Sequence, residues 1–554
     1  MNSPRIKRSG KILLTLFTLI CILATAAFAE GDSTAQIAAW GTIASLLPPV
    51  VAIILALITK EVYSSLFLGI IVGCLLFTNG NPIDAIQDFV SRLCSNAGGN
   101  MGILMFLVIL GTMVALMIRA GGSKAYGDWA VKRIKTKSGA LWSAFILAIV
   151  LGVDDYFNNL TTGNVMRPVT DGHHISRAKL SYMCDATAAP VCIMMPVSSW
   201  AAAVTGIIGN DELGFQIFLK AIPYNYYAIL TLVFIMVMTS LNIDYGPMKK
   251  HEDNAAKGDL YTTPERPFAG VEEMKFNPNG KVIDLVIPVI VLVACCVGAM
   301  IYVGYQSGGT DLISAFANTD AFSALPLGSL IALIFTMIFF MVRRSMKFTE
   351  LMDCLPDGFK QMVPAILILC LAWTIGDVTK ALGAPDFVAD IVSGFGDSLH
   401  NFLPAVVFII AAFLGFATGT SWGTFTILLP IVIPVFSGGV AAADLTADLI
   451  NGNEMLMIAI AATLGGAVMG DHCSPISDTT IMASSGAQCY HLNHVATQLP
   501  YAVTVAAVCF VNYILAALLQ NMILNLLIAV VSMVVVLVVI GKANHSISVH
   551  SQRD

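Results

Sequence analysis

Apolar runs of roughly 17–25 residues, enough to cross a bilayer, recur along most of this chain, and polar strings break two of the apolar regions. The first string is Asp154-Asp155-Tyr156-Phe157-Asn158-Asn159-Leu160-Thr161-Thr162-Gly163, followed by Asp185-Ala186-Thr187-Ala188-Ala189-Pro190. The second is Thr418-Gly419-Thr420-Ser421-Trp422-Gly423-Thr424, followed by Gly470-Asp471-His472-Cys473-Ser474-Pro475-Ile476-Ser477-Asp478-Thr479-Thr480. Carboxylates and hydroxyls at membrane depth are costly unless they line a site or face water. Glycine and proline beside them let a helix break and turn its carbonyls toward an ion. One such unit in each half of the chain points to a transporter with an ion site between two repeats.

Composition agrees with the membrane reading. Of 554 residues, 57% are apolar and only 12% charged, about half the charged fraction of a soluble globule. The net charge of −6 is spread over two aqueous faces, and no basic stripe marks a nucleic-acid binder. The twelve cysteines include no CxxC and lie mostly in apolar runs, so they read as reduced packing residues. No cofactor is expected.

Residues 1–29 combine Arg5, Lys7, Arg8 and Lys11 with an apolar run and end Ala27-Phe28-Ala29, the form of a signal peptide or of a first span. Either form leaves Glu30 outside. Spans are expected near 37–58, 62–78, 101–119, 180–209, 217–241, 281–304, 323–342, 361–380, 455–486, 498–520 and 521–541. Segments 139–170 and 401–436 are apolar but interrupted, and read as hairpins that enter and leave on one side. Lys124, Lys132, Arg133, Lys135 and Lys137 then lie inside, as do Arg343, Arg344 and Lys347. The outer loops 79–100, 306–322 and 437–453 carry only Arg92, which satisfies the positive-inside rule. Each half reads as three spans, a hairpin, a broken span and one more span, starting on opposite sides. The expected fold is an all-α polytopic membrane protein of two inverted repeats, each with a re-entrant hairpin and a discontinuous helix. Its parts are 30–242, a cytoplasmic linker 243–280, 281–520, and a last span with a cytoplasmic tail, 521–554.

The hairpin tips, read as Thr161-Thr162-Gly163 and Thr418-Gly419-Thr420-Ser421, offer hydroxyls and backbone carbonyls, hard ligands for a small alkali cation. Pro475 cannot donate to the Asp471 carbonyl, so that oxygen is expected to be free, and Pro190 likewise frees Ala186. The candidate ion- and proton-binding residues are Asp154, Asp155, Asn158, Asn159, Thr161 and Thr162, with Asp185 and Thr187. In the second half they are Thr418, Thr420, Ser421 and Thr424, then Asp471, His472, Ser474, Ser477, Asp478 and Thr479. A buried carboxylate resists ionising and a bound cation reverses that, so one aspartate can hold a proton or a sodium ion in turn. Hydrogen-bonding glue between helices accounts for single residues such as Thr112 or Ser329, and poorly for a cluster of aspartates.

Leu46-Leu47-Pro48-Pro49, the Thr59-Lys60-Glu61-Val62 turn, the Gly419–Thr424 tip, the Gly470–Thr479 string and the Asp154-Asp155-Tyr156 stretch together resemble the NhaC sodium/proton antiporter family. The resemblance covers roughly residues 37–520. It implies the ion-transporter superfamily fold, paired hairpins, a homodimer in membrane lipid and a bacterial inner-membrane location. The family includes relatives similar to malate/lactate exchangers, so it leaves the substrate open between a sodium ion and a small organic anion.

Blander readings apply elsewhere. His173-His174, His491 and His494 read as residues near cytoplasmic ends, and Lys220 and Arg119 as snorkelling cations. Trp40, Trp129 and Trp142 read as interface anchors. An organic anion would want a cation or helix N-termini in the cavity, and Arg167, at the rim, is the only basic residue in the motif regions. An intramembrane aspartyl protease expects Gly-x-Gly-Asp, whereas position 468 is Val.

Overall fold

The computed structural model describes residues 37–550 except 38, 60, 153, 197, 209–210, 266–275, 311–314, 316–318, 385, 388–401, 438–439 and 441–444. The signal-like segment 1–29 and Glu30 lie outside the described residues. Among those described, every regular element is helical.

The chain opens with α1 (Leu47–Thr59), α2 (Val62–Phe77), α3 (Pro82–Gly99), α4 (Met101–Arg119) and α5 (Gly122–Arg133). Then come α6 (Lys137–Val150), α7 (Asp155–Gly172), α8 (Arg177–Cys192), α9 (Ser199–Ile208), α10 (Asp211–Ala221) and α11 (Tyr226–Leu241). After the linker helix α12 (Gly246–Ala255) follow α13 (Ile283–Gln306), α14 (Ala321–Val342), α15 (Phe348–Ala381), α16 (Leu403–Thr418), α17 (Ser421–Phe436) and α18 (Ala447–Gly452). The last are α19 (Glu454–Cys473), α20 (Asp478–Gly486), α21 (His491–Leu519) and α22 (Met522–His550). Six described helices are long and apolar enough to cross a bilayer singly, and two bent pairs raise this to eight. That falls short of the eleven spans expected because several apolar segments fold as shorter helices. The protein is an all-α, multi-pass membrane protein.

The breaks sit where side chains cap helices. Asp154 Oδ1 accepts from Phe157 N at 2.9 Å, Thr420 Oγ1 from Gly423 N at 3.3 Å, and Ser477 Oγ from Thr480 N at 3.2 Å. Each therefore starts a new helix (α7, α17 and α20) inside an apolar region. Gly419, at φ +68°, closes α16 in the left-handed conformation that glycine adopts without strain. The interrupted segments 139–170 and 401–436 thus contain the pairs α6–α7 and α16–α17, and the chain breaks again between α8 and α9 and between α19 and α20.

Close backbone approach fixes the second half. A Cβ on Gly470 would stand 2.0 Å from the Ala412 carbonyl oxygen, and one on Gly466 would stand 2.3 Å from that of Phe408. α19 consequently lies against α16 with no side chain between them, the small-residue packing of membrane helices. Gly163 on α7 likewise meets Gly486 on α20, where a Cβ would come within 2.5 Å of the Gly486 backbone. That crossing brings the two polar strings together.

Three expectations need correction, and the linker gains a detail. Segment 79–100 is not a loop but mostly α3, capped by Asn81 and bent 119° from α2. Its Arg92 pairs with Asp88 at 2.8 Å and with Asp377 of α15 at 2.7 Å, so this cation ties α3 to α15. Thr161-Thr162-Gly163 is not a tip but lies inside α7, because the cap at Asp154 sets the turn earlier. The linker starts as a docked helix, with Glu252 buried against Ser176 N at 2.9 Å and paired with Lys137. Lys179 next to it is buried in an ion pair with Asp244. Finally, Thr112 and Ser329 bond to carbonyls of their own helices, Val108 and Pro326, rather than across helices.

Candidate functional site

Three helix starts meet where the polar strings cross. Asp155 is the first residue of α7, and its Oδ2 accepts from the indole of Trp200 at 3.1 Å and that of Trp422 at 3.4 Å. Trp422 belongs to the first turn of α17, so one carboxylate touches both halves. Its neighbour Tyr156 donates to Asp478 Oδ2 at 2.8 Å, and the Asp478 amide donates to the Gly419 carbonyl at 3.3 Å. Ser474, in the α19–α20 break, donates to the Phe416 carbonyl at 2.7 Å. The N-terminal starts of α7, α17 and α20 are thus linked through side chains. Their partial positive charges favour carboxylates at these positions.

Asp471 sits in the last turn of α19, fully buried, and takes the Thr479 hydroxyl on Oδ2 at 2.9 Å. Its backbone carbonyl is not free as expected. Ser474 N reaches it at 3.0 Å and the Thr480 hydroxyl at 3.3 Å, because the chain turns after Cys473 and offers other donors in place of Pro475. Asp185 lies on α8, where Oδ2 accepts from Gln498 at 2.6 Å and from Thr480 at 3.1 Å. His472 Nδ1 lies 3.1 Å from the Tyr227 hydroxyl.

The remaining candidates divide by what their polar atoms do. Asn158 spans from α7 to the Ala148 carbonyl and accepts from Thr162, and Thr187 bonds back to Met183 and Cys184. Thr418 bonds to Leu414 and Thr424 to Thr420, while Asp154, Thr420 and Ser477 cap helices. These side chains hold the breaks in shape. By contrast Asn159 (both polar atoms), Thr161 Oγ1, Ser421 Oγ, Asp155 Oδ1 and Asp471 Oδ1 are buried with no hydrogen-bond partner. An unpartnered buried polar group costs about 1–3 kcal/mol. A group of them on elements that already touch is the pattern expected of ligands awaiting a guest.

Electrostatics sharpen this. Asp155, Asp185, Asp471 and Asp478 are at most 4% exposed. Among the described residues none of the four has a lysine or arginine in ion-pair range; only Asp185 has a basic partner, His494 at 3.2 Å. Moving one ion out of water costs several kcal/mol even after relaxation, so four unscreened charges here are untenable. Protons or a bound cation must offset them. Among the described residues no cluster of three His, Cys, Asp or Glu side chains is set to hold a metal ion. A cation at these positions would therefore rest on mixed carboxylate, hydroxyl, amide and carbonyl oxygen.

Several participants were not singled out from the sequence. Tyr156 and Trp422 stood inside the quoted strings but were not read as donors. The buried indole N–H of Trp200, which needs a partner, was the available signal. His494 and Gln498, four apart on one face of α21, were a polar stripe in an apolar helix. His494 is fully buried.

Residues 191–518 match the Na+/H+ antiporter family. The chain is 35% identical over 517 residues to an uncharacterized protein of Haemophilus influenzae, covering 90% of this chain and 95% of that protein. It is 30% identical over 160 residues to the malate-2H(+)/Na(+)-lactate antiporter of Bacillus subtilis, covering 28% of this chain and 31% of that protein. Buried carboxylates at broken helices, in a multi-pass membrane chain matched across more than half its length, lead to one conclusion: the chain belongs to the Na+/H+ antiporter family.

Proposed function

We propose that this protein is a secondary transporter, not an enzyme, that exchanges sodium for protons across a bacterial cytoplasmic membrane. The observation that carries this reading is the set of four buried carboxylates that, among the described residues, have no lysine or arginine beside them. A cation held by Asp155, Asp471 or Asp478, with Asn159, Thr161 and Ser421 supplying neutral oxygens, offsets the buried charge. Protons on the same carboxylates do so in its absence. A single carboxylate carries one negative charge, so at any one of these aspartates a sodium ion and a proton compete, and that competition couples their movements. Family membership supports a cation/proton antiporter.

A second reading is exchange of a small carboxylate coupled to sodium or protons. It is favoured by the similarity to the malate-2H(+)/Na(+)-lactate antiporter and by the three helix N-termini, which can receive an anion. Purified protein in proteoliposomes with an internal pH dye separates the two. A dye response to sodium with no organic solute supports sodium/proton exchange. A strict requirement for malate, lactate or another carboxylate would replace it with the second reading.

A further inference from the structure

The turn between α14 and α15 presents two cations that the fold does not neutralise. At the end of α14, Arg344 N donates to the Met341 carbonyl and Ser345 N to that of Phe340, both at 3.0 Å, with Arg344 left-handed at φ +55°. Glycine is the usual residue at this place in a helix end, and a side chain as large as arginine is uncommon there. The turn is held from behind, since Asn277 donates to the Ser345 carbonyl at 3.1 Å and Met346 is buried. Neighbouring cations are engaged: Arg343 pairs with Asp284 at 3.0 Å and Arg119 with Asp353 at 3.6 Å. Arg344 and Lys347 are exposed, and among the described residues neither has a carboxylate in ion-pair range.

Both cations line a cavity of about 530 Å³, together with Ser345 and the apolar Met341 and Phe348. The one acid in its lining, Glu350, accepts from Lys347 N at 2.8 Å, so the cavity is positive on balance and the side-chain ammonium of Lys347 is not the group it holds. From the apolar side, Leu330, Ile334, Ile338 and Met341 form an exposed stripe at helical spacing that runs along α14 into this cavity. α14 is long and apolar enough to cross a bilayer, so such a face meets acyl chains.

We propose that this turn binds an anionic phospholipid of the adjoining leaflet, its phosphate held by Arg344, Lys347 and the Ser345 hydroxyl and its acyl chains laid along the α14 stripe. Guanidinium forks fit phosphate oxygens and an ammonium adds a point charge, and basic pockets between membrane helices take anionic headgroups. A free phosphate ion shares the headgroup chemistry but gains nothing from the stripe, which is what selects a lipid. A zwitterionic headgroup brings a cation that the two basic side chains repel. None of these residues belongs to the crossing of α7, α17 and α20, so the site stands whichever ion or solute is carried there.

The test counts bound lipid. Purified full-length protein in detergent is titrated with phosphatidylglycerol or phosphatidylcholine, and native mass spectrometry reads the lipid retained, with inorganic phosphate added as a competitor. Each basic residue beside an anionic lipid contributes a factor of about five, so Arg344→Asn with Lys347→Gln should weaken phosphatidylglycerol binding about 25-fold and each single change about fivefold. Asparagine is chosen because it tolerates the left-handed conformation. Lys132→Gln with Lys135→Gln removes two exposed cations that the sequence places on the same side, and should match the wild type. Equal weakening in both double variants overturns the proposal, because net surface charge then suffices. Unchanged binding in the Arg344 and Lys347 variants overturns it as well. Phosphatidylcholine bound as tightly as phosphatidylglycerol, or phosphatidylglycerol displaced by an equal concentration of inorganic phosphate, also overturns it.

Discussion

Replacing Asn159 with leucine distinguishes a ligand from a structural residue by effects of opposite sign. Asn159 is fully buried on α7, and neither of its side-chain polar atoms has a partner. Its backbone lies at the α7–α20 crossing, where a Cβ on Gly486 would stand 2.9 Å from its carbonyl oxygen. Each unpartnered atom costs about 1–3 kcal/mol, so leucine, branched at the same carbon, should hold or raise the thermal midpoint in sodium-free buffer. Losing one neutral oxygen ligand should weaken sodium binding by a similar about 1–3 kcal/mol, which is roughly 5- to 150-fold at 1.4 kcal/mol per tenfold. Thermal unfolding of the purified protein across a sodium titration reads both effects. A bound ion at about 100 times its dissociation constant adds about 2.7 kcal/mol, so the wild-type midpoint should climb where the variant's stays flat. A variant that is less stable without sodium, yet responds to sodium like the wild type, refutes the reasoning and makes Asn159 a packing residue.

Ser421→Ala should weaken sodium dependence with little loss of stability, whereas Thr420→Ala should also cost about 0.5–2 kcal/mol by removing the α17 cap; unchanged sodium dependence in both assigns the hydroxyls to packing. Cysteines placed at Asp128 and Ser345 should label from one face of the membrane and those at Thr310 and Thr446 from the other, and labelling of 128 and 310 from the same face removes the inverted repeat. Burial, with Lys250 beside it, lowers the pKa of His251 on α12. The docking of that helix is therefore complete above the ordinary histidine value of about 6.5 and is lost as pH falls toward the lowered one. Amide protection over residues 246–255, taken relative to the intrinsic exchange rate at each pH, should be lower at about pH 5 than at about pH 7.5, and equal protection would count against it.

The membrane class and the two polar strings were legible because hydropathy and buried charge are properties of the sequence itself. Positions of the breaks were less so. Thr161-Thr162-Gly163 has the composition of a tip, yet Asp154 caps α7 earlier and Gly163 is spent on approach to Gly486. Proline at 475 correctly signalled a break, but the fate of the Asp471 carbonyl depended on Ser474 N and Thr480, donors that only the turn places. Segment 79–100 looked like a loop because its charges dilute its hydropathy; Arg92 shows that they are paired within the fold. The contact of His494 with Asp185 was not legible either, because the two lie 309 residues apart in the sequence.

Asp471 tests the central claim most directly. Asp471→Asn keeps the side-chain shape and can still accept from Thr479, but carries no titratable charge. In proteoliposomes with a pH dye, a sodium gradient should drive proton movement through the wild type and none through this variant, while Asp471→Glu keeps some exchange with a shifted pH profile. Near-normal sodium/proton exchange by Asp471→Asn would contradict the account, because the carboxylate would then be only a hydrogen-bond acceptor.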